Sequence, residues 1–432
     1  MKFFKEIKSS LDSIRKNKVD YLFFFFQLIV FQGAIKQFNN DTFVVLNLVL
    51  CFIFNLFRRR LTLKGLFPIL LIISLILIIP SLQWGIKSLN TFIGFYVRII
   101  TAFLIISYFK ISFLNKLENL IFILAFISIP LYMIQIAYID FYDIFRGFSE
   151  IVLPEDFLNF GLGKLEGHRY LIIYNVNSWA ELRNSGFAGE PAAFGALLTW
   201  ASLINAFQNN LRTNFRYYTY LIAALTTFSI STFVAFLFVY LFMLLNTKKL
   251  GNAFYLGFVP IIVFSLFSIP FFQERTQYMG NKLNEYSTSL EDPDYSESTV
   301  IRRNRVQGFM VGFNLIADSP MGYGIDPENA PDETKSSNGF MLLLFKFGII
   351  GFILVLYLIK RIFIFFKLYF SQNAKGLYAF ILIVLITFNG NPFYNQPFFL
   401  AFLLSGFLIL FMNKKLGIVF HNQPTGLKAL LI

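Results

Sequence analysis

Long, continuously apolar stretches recur along this chain from residue 20 to residue 412, divided by short polar connections. Each approaches the ~20 residues that cross a ~30 Å hydrocarbon core as a helix. Apolar and polar residues do not alternate within them, so they predict spanning helices and not barrel strands. Charged residues make up only 14% of the chain, against about a quarter in a water-soluble domain. The predicted fold class is an all-α polytopic membrane protein, with residues 1–432 as a single transmembrane domain.

About 12 transmembrane helices are expected, near 20–36, 42–57, 66–83, 90–108, 118–139, 190–207, 217–230, 232–246, 253–272, 337–358, 376–391 and 396–412. Lys and Arg in alternate connections then set the orientation. One set holds the N-terminus, Arg58–Arg59–Arg60, Lys64, Lys110, Lys116, Arg212, Arg216, Lys248, Lys249, the Lys360–Lys375 stretch and the C-terminal tail. It carries about 23 basic and four acidic residues, and the other set about 12 basic and 20 acidic. Both termini are therefore expected in the cytoplasm. The stretch Phe215–Asn246 is long enough for one helix. A single span there would invert every later loop, so two short spans are expected, turning near Ser229–Thr232.

This placement accounts for the net charge of +13 without nucleic acid as a partner. The basic N-terminus has no small-residue cleavage site after its apolar run and reads as a retained end, not a signal peptide. Cys51 is the only cysteine and His168 and His421 are the only histidines, so neither a disulfide nor a Cys/His metal site is expected. No metal and no cofactor enters the reading.

Two connections on the non-cytoplasmic side are long, 140–189 and 273–336, and loops of that length usually carry function. The first is rich in aromatic residues, including Phe141, Tyr142, Tyr170, Tyr174 and Trp179, and is expected to fold onto the membrane surface. It ends on Arg183-Asn-Ser-Gly-Phe-Ala-Gly-Glu190-Pro191. Pro191 suits the first turn of a helix, and Gly186 and Gly189 permit bending or close approach. Glu190 then stands at a helix entrance, either as a simple cap that complements the dipole or as a catalytic carboxylate. In the second loop Arg302, Arg303 and Arg305 suit bidentate phosphate recognition, with a headgroup anchor as the plainer reading. Pro320-Met-Gly-Tyr-Gly324 follows, then Ser336-Ser337-Asn338 and Gly348-Ile-Ile-Gly351. Asn338 suits a helix cap, and the glycines suit close packing. Arg98 and Lys346 fall inside predicted spans, where a charge marks a cavity or a partner. Arg98 is also placed to snorkel outward.

These features, in this order, resemble the O-antigen polymerase (Wzy) and O-antigen ligase superfamily of bacterial integral-membrane glycosyltransferases, over about residues 90–412. The carriers are R-x-S-G-F-x-x-E-P after the fifth span, then Arg305, Pro320-x-Gly-x-Gly324, Ser337-Asn338-Gly-Phe and Gly348–Gly351, with the Thr226–Thr232 turn between. The resemblance implies a GT-C-like enzyme that polymerises undecaprenyl-pyrophosphate-linked oligosaccharide units on the outer face of the inner membrane, for O-antigen, capsule or exopolysaccharide. It implies membrane lipids and a chain-length regulator as partners. Family ligases carry a histidine just before the asparagine where Ser336 and Ser337 stand, which favours a polymerase. A ligase that moves finished polymer to an acceptor is the alternative, as is a lipid-linked oligosaccharide transporter. Under the polymerase reading Glu190 is the base and Arg183 its catalytic companion. Arg98, Arg302, Arg303, Arg305, Asn338, Lys346 and His168 would contact pyrophosphate or sugar; His168 is also a second base candidate with a structural reading beside it.

Overall fold

The computed structural model describes residues 2–30, 41–137, 168–170, 173–177, 183–246, 315–326, 329, 339–388 and 396–412. Helices α1 (Lys2–Lys16), α2 (Lys18–Val30), α3 (Asp41–Phe57), α4 (Leu66–Trp84), α5 (Leu89–Phe109) and α6 (Ser112–Ala137) come first. Strands β1 (His168–Tyr170) and β2 (Asn175–Asn177) follow, paired antiparallel with Arg169 opposite Val176. This ladder is the departure from an all-α chain among the described residues. Helices α7 (Pro191–Gln208), α8 (Phe215–Thr226), α9 (Ile230–Asn246), α10 (Gly339–Tyr369), α11 (Leu377–Phe388) and α12 (Pro397–Met412) complete the described elements.

Each expected span overlaps a described helix except 253–272, which lies outside the described residues, as do 31–36, 138–139, 337–338 and 389–391 of other spans. Four helices, α4, α5, α6 and α10, have the length and hydropathy to cross a membrane; α3, α9, α11 and α12 are apolar but shorter. Helices α2, α7 and α8 fall in neither group. For α7 the reason is physical. Every residue from Pro191 to Phe207 is buried, so protein and not lipid surrounds it, and its lining need not be uniformly apolar. Helix α4 is the opposite case, with only 17% of its apolar window buried and the rest left for lipid.

The chain divides into two units. The first comprises Met1–Leu70, Ile93–Asn246 and Leu356–Ile432. Helix α7 is its hub and packs against α6, α8, α9 and α11. Small residues let the helices approach: a Cβ on Gly195 would collide with Thr232 of α9. Trp200 stacks on Phe402 at 4.2 Å and donates its indole N–H to Thr387 Oγ1 at 3.1 Å. Helices α2 and α3 are joined by reciprocal amide bonds between Gln27 and Asn47, 2.7 and 3.0 Å long. A buried charge network holds α1 to this unit. Arg216 of α8 pairs with Glu118 of α6, donates to Ser10 Oγ at 2.6 Å and lies 3.7 Å from Glu6. Tyr220 Oη donates to the Glu118 carboxylate at 2.7 Å.

Helices α8 and α9 are separate, as the charge pattern requires. The break falls at Thr227–Ser229, a turn earlier than expected, and Ile230–Thr232 are already helical. Thr226 and Thr227 turn their hydroxyls onto the carbonyls of Ala223 and Ala224, each at 2.7 Å, and Phe228 takes a φ of 45°. Those self-caps end α8 before the serines.

The second unit comprises Leu71–Phe92 and Thr247–Val355. Its described core gathers Tyr323, Met341, Leu344 and Phe345, with Leu315, Ile316, Phe340 and Phe352 against them.

Candidate functional site

In the first unit the segment 183–190 leads from the first loop into α7. Residues 184–189 are buried and Glu190 is exposed. The segment is fixed by hydrogen bonds to the α8–α9 break. Arg183 Nε donates to the Thr227 carbonyl at 3.0 Å, and the Asn184 amide N–H to the Thr226 carbonyl at 2.8 Å. Asn184 Nδ2 reaches Thr226 Oγ1 at 2.9 Å and Ser128 Oγ of α6 at 3.2 Å, and its Oδ1 accepts from Gly186 N–H at 2.8 Å. Carbonyls freed where α8 ends thus become the acceptors for a polar loop, which meets the demand that buried backbone groups be paired.

Gly186 carries φ 53°, and a Cβ there would lie 2.6 Å from the Phe194 ring, so only glycine fits. Asn175 of β2 binds the other side of the segment: its N–H donates to the Gly186 carbonyl at 2.5 Å and its Nδ2 to the Ala188 carbonyl at 3.0 Å. Tyr174 seats the ladder. It is fully buried with Tyr132, Val176, Leu131 and Phe228, and burial pushes its phenol far above the usual range. The phenol stays protonated and donates to Gln135 Oε1 at 2.6 Å.

Pro191 occupies the first helical turn of α7, as expected, and Glu190 is the N-cap. Its side chain makes no cap hydrogen bond. The carboxylate is presented at the surface beside the positive end of α7. Ser185 Oγ, Asn175 Oδ1 and Thr232 Oγ1 are among the buried polar atoms of this unit that have no hydrogen-bond partner among the described residues. Arg98 lies half-buried midway along α5, and His168 sits on β1 opposite Asn177.

In the second unit the two glycine motifs meet each other. Helix α10 is interrupted at Gly348, whose φ is 62° and ψ −167°. The carbonyls freed by this kink accept from the Pro320–Gly324 segment: Tyr323 N–H to Phe345 at 2.6 Å and Gly324 N–H to Lys346 at 3.1 Å. Ile349 N–H returns a bond to the Pro320 carbonyl at 2.9 Å. The Lys346 ammonium donates to the Ile325 carbonyl at 3.1 Å, which ties this lysine to the loop.

Asp326 was not anticipated from sequence. It is fully buried and its carboxylate accepts from the Ser88 N–H at 2.5 Å, just ahead of α5, where a negative charge complements a helix start. Asn329 donates to the Gly85 carbonyl at 3.0 Å, and Trp84 packs on Tyr323 at 5.0 Å. The cue in sequence was an acidic residue two positions after the P-x-G-x-G motif. Arg302, Arg303, Arg305 and Asn338 lie outside the described residues.

Residues 217–356 match the family model Wzy_C, described as O-antigen ligase. Over that span the chain is similar to the O-antigen ligase family. The matched span runs from α8 into α10. It contains the α8–α9 break, the Pro320–Gly324 segment and the Gly348 kink, and it leaves Arg98 and the Arg183–Glu190 segment outside. Members of the O-antigen ligase family are glycosyltransferase-like enzymes that act on lipid-linked oligosaccharides in the membrane. No curated protein and no solved structure matches the chain.

Proposed function

We propose that this protein is a polysaccharide polymerase that joins undecaprenyl-pyrophosphate-linked oligosaccharide units at the outer face of the inner membrane. The single observation that carries the reading is Glu190: an exposed carboxylate, not engaged as a cap, at the mouth of the most buried helix of its unit. A carboxylate in that position suits general-base work on a sugar hydroxyl. The unpartnered Ser185, Asn175 and Thr232 oxygens support a sugar as the bound group, because its hydroxyls would relieve the cost of about 1–3 kcal/mol that each buried unpaired polar atom carries.

The reaction follows from the substrates. A hydroxyl of the incoming lipid-linked unit attacks the anomeric carbon of the growing chain and passes its proton to Glu190. The bond from that carbon to pyrophosphate breaks, and undecaprenyl pyrophosphate leaves with the electron pair. Arginines stabilise the departing charge without a metal; Arg183, Arg302, Arg303 and Arg305 take that role, with Arg98, Asn338, Lys346 and His168 around sugar and phosphate. Residues 1–432 act as one transmembrane domain of about 12 spans, with loops 140–189 and 273–336 outside and both termini in the cytoplasm, and a chain-length regulator works alongside.

The test is the profile of lipid-linked oligosaccharides in a deletion strain. Accumulation of single, unpolymerised units supports the polymerase. The ligase reading is favoured by the similarity of residues 217–356 to the O-antigen ligase family and predicts instead that finished polymer stays on its lipid carrier. The serines at 336 and 337, where family ligases carry histidine, weigh against it. A transporter predicts that purified protein extends no lipid-linked oligosaccharide in detergent.

A further inference from the structure

The end of the first unit opposite to the segment 183–190 along α6 and α8 carries a second cluster of charge, unrelated to the residues above. Asp20 of α2 stands among three cations. Its Oδ2 lies 3.6 Å from Arg60 and 3.8 Å from Lys116, and its Oδ1 4.0 Å from Arg58. Tyr108 Oη also donates to that carboxylate, at 2.9 Å. One negative charge thus faces three positive ones. Arg59 and Lys64, both exposed on the same turn, have no carboxylate at ion-pair distance among the described residues.

Two of the three cations, Lys116 and Arg60, are held in place and not merely solvated. Lys116 is 6% exposed, with its ammonium 4.3 Å from the centre of the Tyr21 ring. The Arg60 guanidinium lies 4.8 Å over Tyr108 and donates to the Tyr108 carbonyl at 3.1 Å. The turn itself is tied to α5: Asn55 Nδ2 donates to the Leu104 carbonyl at 3.0 Å, and Ser107 Oγ to the Arg60 carbonyl at 3.2 Å. A rigid, partly desolvated set of cations with a surplus of charge favours an anion with several oxygens, which a guanidinium pair grips well.

A second observation says what bears that anion. The same turn exposes large apolar side chains on either side of the arginines: Phe57 at 84%, Leu63 at 63% and Phe67 at 73%. Apolar surface beside fixed cations at the end of a spanning helix matches acyl chains beside a headgroup phosphate. We propose that the α3–α4 turn, with Asp20 and Lys116, is a binding site for an anionic phospholipid headgroup in the leaflet at that end of the helices. The site rests on the helices spanning a bilayer and is independent of which reaction the protein performs. The lipid would bridge Arg58 and Arg60 through its phosphate and lay its chains along Phe57 and Phe67. Asp20 tunes the affinity downward, because it already neutralises part of the charge.

The test uses the full-length protein in nanodiscs of equal parts phosphatidylglycerol and phosphatidylcholine with matched chains, released for native mass spectrometry. The protein is expected to retain phosphatidylglycerol over phosphatidylcholine by roughly tenfold. Arg58→Gln with Arg60→Gln abolishes the preference, and Asp20→Asn, which removes the competing carboxylate, strengthens it. An effect of opposite sign at Asp20 separates lipid recognition from damage to the fold. Lys375→Gln, which removes an exposed charge on another connection, leaves the preference in place. Equal retention of the two lipids, or full retention of phosphatidylglycerol by the double arginine variant, overturns the proposal. So does displacement of the retained lipid by inorganic phosphate, which would make the site one for the free anion. Chain assembly by the double variant is expected to persist, so a failed polymerase reading and a failed lipid site give different results.

Discussion

Gly322 and Gly348 occupy each other's side-chain space. A Cβ on Gly322 would lie 2.6 Å from the Gly348 amide nitrogen, and one on Gly348 would collide with the Met321 carbonyl. Both also hold positive φ, 86° and 62°. The kink in α10 and the loop that fills it are therefore one device, built from two glycines far apart in the chain.

Alanine at either position meets backbone and not a movable side chain. Gly322→Ala and Gly348→Ala are each expected to cost on the order of 3 kcal/mol or more, from strain and overpacking together. Gly324→Ala is the comparison. Its φ is 83°, but a Cβ there meets only Pro80, at 3.5 Å, so conformational strain alone remains, about 1 kcal/mol. Melting temperatures in detergent should fall in that order.

Glu190 and Arg183 should separate by stability. Glu190 is exposed and makes no cap bond, so Glu190→Gln is expected to stay within about 0.5 kcal/mol of the parent while chain extension falls by about 10²–10⁴. Thermal unfolding and polymer length on gels read the two effects from the same preparations. Normal chain length in this variant would remove Glu190 as the base.

Arg183→Gln carries a structural penalty whatever its role in the reaction, because the guanidinium donates to the Thr227 carbonyl. About 1.5–3 kcal/mol is expected for the loss of a charged donor to a buried acceptor. Arg183→Lys is no remedy, since an ammonium on a flexible stem does not reproduce the planar Nε–H. An Arg183→Gln protein as stable as the parent would contradict the described anchoring.

The Glu118–Arg216 pair predicts the fate of α1. Glu118 is 2% exposed, so Glu118→Gln leaves Arg216 poorly compensated and is expected to cost about 3–5 kcal/mol. Arg216 also holds Ser10 and Glu6, and its displacement should loosen α1. Limited trypsin digestion is expected to cut at Lys8 and Arg15 faster in Glu118→Gln than in the parent. Replacing both partners, Glu118→Gln with Arg216→Met, should recover much of the lost stability.

The helices were legible because lipid demands continuous apolar runs, and a run such as Leu66–Trp84 has no other plausible use. The pair α8 and α9 was legible only indirectly. Nothing in the residues Phe215–Asn246 forbids one long helix, and the separation was inferred from where Lys248, Lys249 and Lys360 must lie. Its position was misplaced by a turn because Ser229 and Ser231 look like the break, whereas the hydroxyls of Thr226 and Thr227 end the helix first. At the candidate site, the pattern pointed to Glu190, Pro191 and Gly186 through local rules of helix entry and turns. Asp326 and Asn175 stayed hidden because their partners, Ser88 and the Gly186–Ala188 backbone, are remote in sequence. Side-chain acceptors of backbone amides leave no periodic trace.

The anchoring of Arg183 and Asn184 also imposes an order on synthesis. Both residues leave the ribosome before Thr226 and Thr227, whose carbonyls they bind. Until α8 has emerged and ended, the Arg183 Nε and Asn184 N–H donors lack the carbonyls they bind in the fold. Burial of the polar segment ahead of α7 is therefore a late event in insertion, completed after α7 is already placed. A chain arrested before Thr226 would hold that segment in an unfinished state, a natural substrate for quality control.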